Sequence, residues 1–268
     1  MTTEPPLDSS HRDGGRSVLW NPGFADLSPL FWPLSGAAHA LAQAISVRRS
    51  TAPEAEAGGG EAFPQPEVID AALGARAAVR FERQRPVSRR RGGPRDPASM
   101  YDARIARDGC VPTRPGSWHD LMNALVWATF PLAKRALHER QHSLVVPAAP
   151  GESARRPREL DALALLDEGG LVVVADLPLE DEEALARALG RHQATPIVFG
   201  HAIYEGIVLG RELPLGSAIC VRGDPGSPRD ALIAHADRAL AAVLADRSQL
   251  LDPRSMLRVN RSAYDPRQ

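Results

Sequence analysis

One helix without a solvated face constrains the fold of this 268-residue chain more than any other feature. When residues 118–134 are wound at about 100° per residue, apolar side chains cover most of the circumference. The remaining side chains form a narrow polar and aromatic stripe of His119, Asp120, Asn123, Trp127, Phe130 and Lys134. Because buried polar groups need partners or a cleft, we predict a deeply buried helix whose stripe faces an internal cleft.

The single lysine of the chain lies on that stripe. Of the 32 cationic side chains, all but Lys134 are arginine. Unless its position is due to chance, a lysine kept in such a chain indicates a need for a compact ammonium group. Asp120 cannot be its partner, since 14 helical residues span roughly 21 Å. Lys134 therefore either lines an elongated groove or meets an acid from another element, and Asp161 is a candidate for that acid.

Composition excludes several classes of protein. The formal net charge of −1 gives no overall attraction to nucleic acid or to anionic membranes. No apolar stretch is long enough to span a bilayer, and the N-terminus lacks the pattern of a signal peptide. Two cysteines without a CxxC spacing favour a reducing compartment. We therefore expect a cytoplasmic protein with no membrane segment, for which a nucleic-acid partner is unlikely.

The predicted architecture is α+β: a mainly helical single domain around a small antiparallel sheet. The long helix is expected to run from Ser117 to about Gln141. The turn signal Asp167-Glu-Gly-Gly170, between two apolar runs, predicts a hairpin at about residues 160–176. The predicted organisation is a disordered tail (1–16), one globular domain (17–247) with loop inserts near 51–66, 85–97 and 147–158, and a C-terminal tail (248–268).

A second group of polar residues follows at Phe199-Gly-His-Ala-Ile-Tyr-Glu205. His201 and Glu205 are four residues apart, which places them on one face of a helix with Tyr204 alongside. This spacing allows metal binding, or a carboxylate that orients an imidazole. An ordinary hydrogen bond within a helix has the same spacing, so both interpretations stay open.

The turn that precedes the long helix offers an anion site. Arg114 and the free amide groups after Ser117 could bind a phosphate or carboxylate at the helix N-terminus. Asp120, at the third helical position, partly cancels that field and also suits a capping box. Asp167 and Glu168 are attributed to the geometry of the predicted turn.

Three segments of the sequence occur together in a known family. They are Tyr101–Lys134, containing Pro-Thr-Arg-Pro-Gly-Ser-Trp-His-Asp, then Asp161–Gly170, and then Phe199–Glu205. Together they resemble the bacterial domain-of-unknown-function-3025 family, from about Phe81 to Leu244. The chain departs from the family pattern at His138 and in its C-terminal segment. The resemblance implies no known activity, but it supports the same set of site residues.

Two hypotheses for the function follow. The first is a small-molecule enzyme, metal-dependent and hydrolase-like or acting by direct acid–base catalysis, with an anionic substrate in a cleft lined by the 117–134 helix. The catalytic candidates are His119, Asp120, His201 and Glu205, and we expect His119 and His201 to share the cleft. The candidates for substrate binding are Arg114, Asn123, Trp127, Lys134 and Tyr204. The candidate ligands of a divalent zinc, iron or manganese ion are His119, Asp120, Asp161, His201 and Glu205.

The second hypothesis is a non-catalytic binding or scaffold protein. In that case the same polar side chains form a satisfied buried network that fixes helix packing.

Overall fold

The structure is a computed structural model that describes residues 20–51, 62–84, 101–144 and 157–264. The predicted disordered tail (1–16) and the insert at 85–97 lie outside the described residues, as do most of the inserts at 51–66 and 147–158. The described part is an α+β fold in which helices surround two small sheets, which confirms the predicted class.

Helices occur throughout the described chain, with the strands between them. Two short 3-10 helices, Phe24–Leu27 and Pro29–Leu34, precede the first α-helix. The α-helices are α1 (Ser35–Thr51), α2 (Pro66–Ala77), α3 (Tyr101–Asp108), α4 (Trp118–Thr129), α5 (Pro131–Leu144), α6 (Arg158–Gly169), α7 (Glu182–Gly190), α8 (His201–Val208), α9 (Arg229–Ala245) and α10 (Arg261–Tyr264).

The strands form one parallel pair and one mixed sheet. The parallel pair is β1 (Arg80–Arg83) with β2 (Cys110–Thr113). The mixed sheet has the order β4-β3-β5-β6, built from β3 (Gly170–Ala175), β4 (Ala194–Val198), β5 (Gly216–Arg222) and β6 (Leu257–Val259). Its central pair, β3 and β5, is parallel, whereas β4 and β6 run antiparallel to their neighbours. The expectation of a small antiparallel sheet is therefore wrong for this central pair, while both outer pairs are antiparallel.

The predicted hairpin at 160–176 is also wrong. Residues 158–169 form α6, and this helix passes directly into β3 without a loop. Ala162, Leu163 and Leu166 are buried at helical spacing, and this burial outweighs the turn propensity of the sequence that follows. Gly170 takes an extended conformation at the junction, and this position requires glycine, since an added Cβ there would lie 2.3 Å from the carbonyl oxygen of Leu166.

The long predicted helix divides in two. Phe130, with φ −126° and ψ 60°, separates α4 from α5. The next residue, Pro131, cannot continue the hydrogen-bond ladder of α4 and suits the first turn of a new helix. The helical stripe therefore keeps a single phase only as far as Phe130. The predicted burial of α4 is confirmed, because Leu121 and Trp127 have no solvent exposure.

Within the predicted C-terminal tail, residues 248–264 pack into the domain. β6 pairs with β5, and Leu250, Met256 and Tyr264 are buried. The guanidinium of the buried Arg140 donates to the carbonyl oxygens of Leu244, Asp246 and Gln249, which fastens the end of α9 to α5. The sequence misled here because a three-residue strand carries too little periodicity to be recognised. In the described residues, no helix is long and apolar enough to cross a membrane.

Candidate metal-binding site

A polar cavity of about 390 Å³ opens where the start of α4 faces the end of α6 and the start of α8. Helices α3 and α5 complete its wall. Its lining residues are Gln84, Tyr101, Pro112, Arg114, His119, Asp120, Asn123, His138, Gln141, Ala164, Asp167, Glu168 and His201. The stripe predicted on α4 therefore reaches a cavity through its N-terminal half.

Two histidines from different helices meet at this cavity. Nε2 of His119 lies 3.0 Å from Nε2 of His201, and the two rings are inclined by 75°. His119 follows the helix cap formed by Ser117, whose hydroxyl accepts from the amide of Asp120. His201 opens α8 directly after Gly200. The structure thus places the two histidines together, as the sequence predicts.

The other nitrogen of each imidazole faces a carboxylate. Nδ1 of His119 lies 3.0 Å from Oε2 of Glu205, and Nδ1 of His201 lies 3.7 Å from Oδ1 of Asp167. The hydrogen bond to Glu205 raises the pKa of His119 despite partial burial, and the same bond lowers the pKa of Glu205. Glu205 therefore holds the ring of His119 by a hydrogen bond, whereas Asp167 lies beyond hydrogen-bond distance of His201, and the two Nε2 atoms face each other.

Lys134 supports this arrangement from behind. Its side chain has no solvent exposure, and its Nζ lies 2.5 Å from Oδ1 of Asp167. The ammonium also lies 5.6 Å from the centre of the Trp127 ring. Burial raises the pKa of Asp167, but the charge of Lys134 and the nearby imidazole of His201 outweigh it and hold that pKa well below its usual value. Asp167 is therefore ionised at neutral pH.

Glu168 supplies a third group with metal-binding chemistry. Its Oε2 lies 3.5 Å from Nε2 of His201, and one ligand atom each from His119, Glu168 and His201 falls within 4.8 Å of the others. The Glu168 side chain is about half exposed, so it can adjust to an ion. Two imidazoles and one carboxylate form a common ligand set for zinc and non-haem iron.

The residues of this cavity lie within a segment that matches a known protein family. The family described as "Protein of unknown function (DUF3025)" matches residues 89–259, which include both histidines and all three carboxylates of the site. This chain belongs to the DUF3025 family. Neither curated proteins nor solved structures gave a match.

Arg114 and Asp120 line the cavity of this DUF3025 protein, but they bind each other. Asp120 accepts from the backbone amide of Arg114 at 2.6 Å and from its guanidinium at 2.7 and 3.0 Å. This hydrogen bonding raises the pKa of Arg114. Asp120 thus takes the place of the anion predicted beside Arg114, and its carboxylate does not join the group formed by the two histidines.

Three predicted substrate contacts are buried behind the cavity wall. Trp127, Lys134 and Tyr204 have no solvent exposure, and none of them lines the cavity. The Tyr204 hydroxyl donates to the carbonyl oxygen of Val198 at 2.8 Å. The prediction that these three side chains contact substrate directly is therefore wrong for this cavity. The polar stripe of α4 enters the protein core one helical turn after Asn123.

The acids of the site come from the end of α6, and Asp161 does not belong to them. Asp161 is exposed in the first turn of α6 and lies outside the cavity lining. Asp161 is predicted from the sequence to pair with Lys134 or to bind a metal. In the structure Asp167 pairs with Lys134, and Glu168 is the candidate metal ligand. The sequence analysis missed both because their segment was interpreted as a turn. Continuing the helical spacing of Leu163 and Leu166 by one residue would have placed Asp167 on the buried face of a helix.

Proposed function

We propose that this protein is a metal-dependent, hydrolase-like enzyme acting on a small molecule, with His119, His201 and Glu168 as ligands of a divalent ion. The observation that carries the proposal is the 3.0 Å spacing of the two Nε2 atoms, with a carboxylate facing each Nδ1. Neutral imidazole has one donor and one acceptor nitrogen. Nδ1 of His119 can donate to Glu205; where Nδ1 of His201 also carries its proton, both Nε2 lone pairs face the same point, and a divalent cation there would relieve their repulsion.

The spacing suits two neighbouring ligands of one ion. With metal–nitrogen bonds of about 2.0–2.1 Å, nitrogens 3.0 Å apart subtend roughly 91–97° at the metal. That angle corresponds to adjacent positions of a five- or six-coordinate ion, and the carboxylate of Glu168 can take a third. The remaining positions would face the cavity and be open to water and substrate.

The surrounding residues would have separate tasks. A bound divalent ion supplies an acidified water and polarises a carbonyl or phosphoryl oxygen. Glu205 fixes the ring orientation of His119, Asp167 places a negative charge beside Nδ1 of His201, and Lys134 keeps Asp167 ionised and in place. An anionic group of the substrate is then attracted chiefly by the ion, since Asp120 already neutralises Arg114. We also propose the cytoplasm as its location, because Cys110 and Cys220 are both free thiols.

The alternative, a non-catalytic binding or scaffold protein, is favoured by one observation. Lys134 and Asp167 form a buried ion pair whose lysine does not reach the cavity. Such a pair could serve helix packing alone. The two functions differ in their response to metal.

Metal content of the protein, purified without a polyhistidine tag, tests the proposal. We expect about one equivalent of a transition metal, and a melting temperature that falls with chelator and recovers with metal. The variants H119A and H201A should lose that metal, whereas H39A, which removes an exposed histidine of α1, should retain it. A wild-type protein with no metal and no response to added zinc, iron or manganese would favour the scaffold.

A further inference from the structure

We propose that the wall formed by Asn123, Gln141 and Tyr101 binds the end of the substrate remote from the metal, and that this end carries neutral N–H or O–H donors. The inference rests on the proposed function and specifies its substrate class. The substrate would join a metal-binding group, such as a carboxylate or carbonyl, to a short neutral segment ending in an amide or hydroxyl.

Two buried acceptor atoms carry the inference. Asn123 and Gln141 line the cavity with only 7% and 8% of their surface exposed. Asn123 donates its Nδ2 to the Tyr101 hydroxyl at 2.9 Å, but its Oδ1 has no hydrogen-bond partner among the described residues. The Oε1 of Gln141 likewise has none within that part of the chain. Buried acceptors left unpaired are costly, so the wall is suited to a ligand that donates to both.

The position of the wall fixes the size of the ligand. Asn123 follows His119 by four residues on α4, so the two side chains lie one helical turn apart, roughly 6 Å. Gln141 comes from α5 and lies on the same cavity wall. A ligand that contacts the ion beside His119 and also the amide of Asn123 therefore needs only about three or four atoms between its two ends.

The charges around the cavity distinguish its two ends. Amide oxygens accept hydrogen bonds and repel an anionic group, while the guanidinium of Arg114 is held by Asp120. Among the described lining residues, no arginine or lysine is thus available beside Asn123 and Gln141 to bind a carboxylate or phosphate. His138, the imidazole of the same wall, is buried and stacked on Trp127. We therefore place an anionic group at the metal and a neutral group at the remote end.

Three synthetic chelators with one backbone test this arrangement. Each is a four-carbon hydroxamate that binds metal through the same group, and their far ends are a primary amide, a methyl ester and a carboxylate. Calorimetric titration of the metal-loaded wild-type protein should give a Kd for the amide about 3- to 10-fold lower than for the ester, the value of one or two neutral hydrogen bonds. The carboxylate should bind more weakly than the ester.

Variants assign that preference to the wall. N123L and Q141M should each reduce the amide-to-ester preference toward one. Q193M makes the same glutamine-to-methionine change at an exposed residue outside the cavity lining and should leave it unchanged. Equal wild-type affinities for amide and ester would overturn the inference while the metal site stands. Absence of metal-dependent binding by all three hydroxamates would overturn the proposed function as well. The wild-type ratio decides the question even if a variant does not fold.

Discussion

Nζ of Lys134 lies 2.5 Å from Oδ1 of Asp167, and the lysine side chain is entirely removed from solvent. This pair joins α5 to α6 and places a carboxylate behind His201. A guanidinium is larger and planar, and Lys134 is fully buried beside Trp127, so we expect an arginine there to require repacking of the neighbouring side chains. The only lysine in an arginine-rich chain is thus found where its shape matters.

Lys134→Arg is expected to destabilise the protein by about 1–3 kcal/mol through overpacking. Lys134→Met should cost about 3–5 kcal/mol, because it leaves the buried Asp167 without a counter-charge. Urea unfolding monitored by circular dichroism measures both. The control R238K, at an exposed position of α9, should stay within about 0.5 kcal/mol of wild type. Equal free energies of unfolding for K134R and R238K would contradict the prediction.

Glu205→Gln is expected to weaken metal binding by about 10- to 100-fold, because the carboxylate that orients His119 is lost. Competition with a chromogenic chelator gives the affinity. Glu212→Gln, which alters a side chain that is almost fully exposed, serves as the matched control. If the two variants bind metal with the same affinity, Glu205 does not act through His119.

The His119–Glu205 pair gives the metal-free protein a pH dependence. The pKa of His119 is raised above 6.5 and that of Glu205 is lowered below 4.5, in both cases chiefly by their mutual hydrogen bond. The pair therefore contributes its full stabilisation of the folded state between about pH 4.5 and pH 6.5, the ordinary pKa values of the two groups. It is lost as the pH rises through the raised pKa of His119, or falls through the lowered pKa of Glu205.

Comparison of wild type with E205Q in the presence of chelator measures this effect. The difference in the free energy of unfolding should be largest near about pH 5.5 and should shrink by about pH 9. The E212Q control should show no such trend. A constant difference across this range would mean that the pair does not titrate as the geometry implies.

The thiol of Cys110 is expected to be unreactive in the folded protein. Burial raises its pKa from 9.0 to about 11, and Glu82 contributes in the same direction. At pH about 8 the thiolate fraction is then about 100-fold lower than for an ordinary thiol. Iodoacetamide should modify the native protein at least that much more slowly than the protein unfolded in urea, as mass spectrometry of the Cys110 peptide can show. Rapid labelling of the native protein would contradict the burial.

Part of the site could be predicted because helical periodicity is local. The apolar surround of α4 requires burial, and the spacing of His201 and Glu205 places them on one helix. The placement of His119 beside His201 also agrees with the structure. The roles assigned to these residues stay predictions, since proximity alone identifies no reaction.

The remainder depends on interactions between distant segments. Asp167 and Glu168 look like turn residues, and only the packing of Leu163 and Leu166 reveals that α6 extends through them. The engagement of Arg114 by Asp120 depends on how the chain enters α4. Neither contact can be predicted from a short stretch of sequence. The sequence therefore indicates which residues belong to the site more reliably than it indicates what each of them contacts.

The backbone contact at Gly200 determines how this site could be re-engineered. The amides of Phe199 and Gly200 both donate to the carbonyl oxygen of Gly170, and a Cβ at Gly200 would lie 2.5 Å from the carbonyl oxygen of Glu168. The segment bearing one imidazole and the segment bearing the candidate carboxylate therefore behave as a single rigid part. A designer who transplants this chemistry to another scaffold must carry both segments together and can vary only the helix that presents His119.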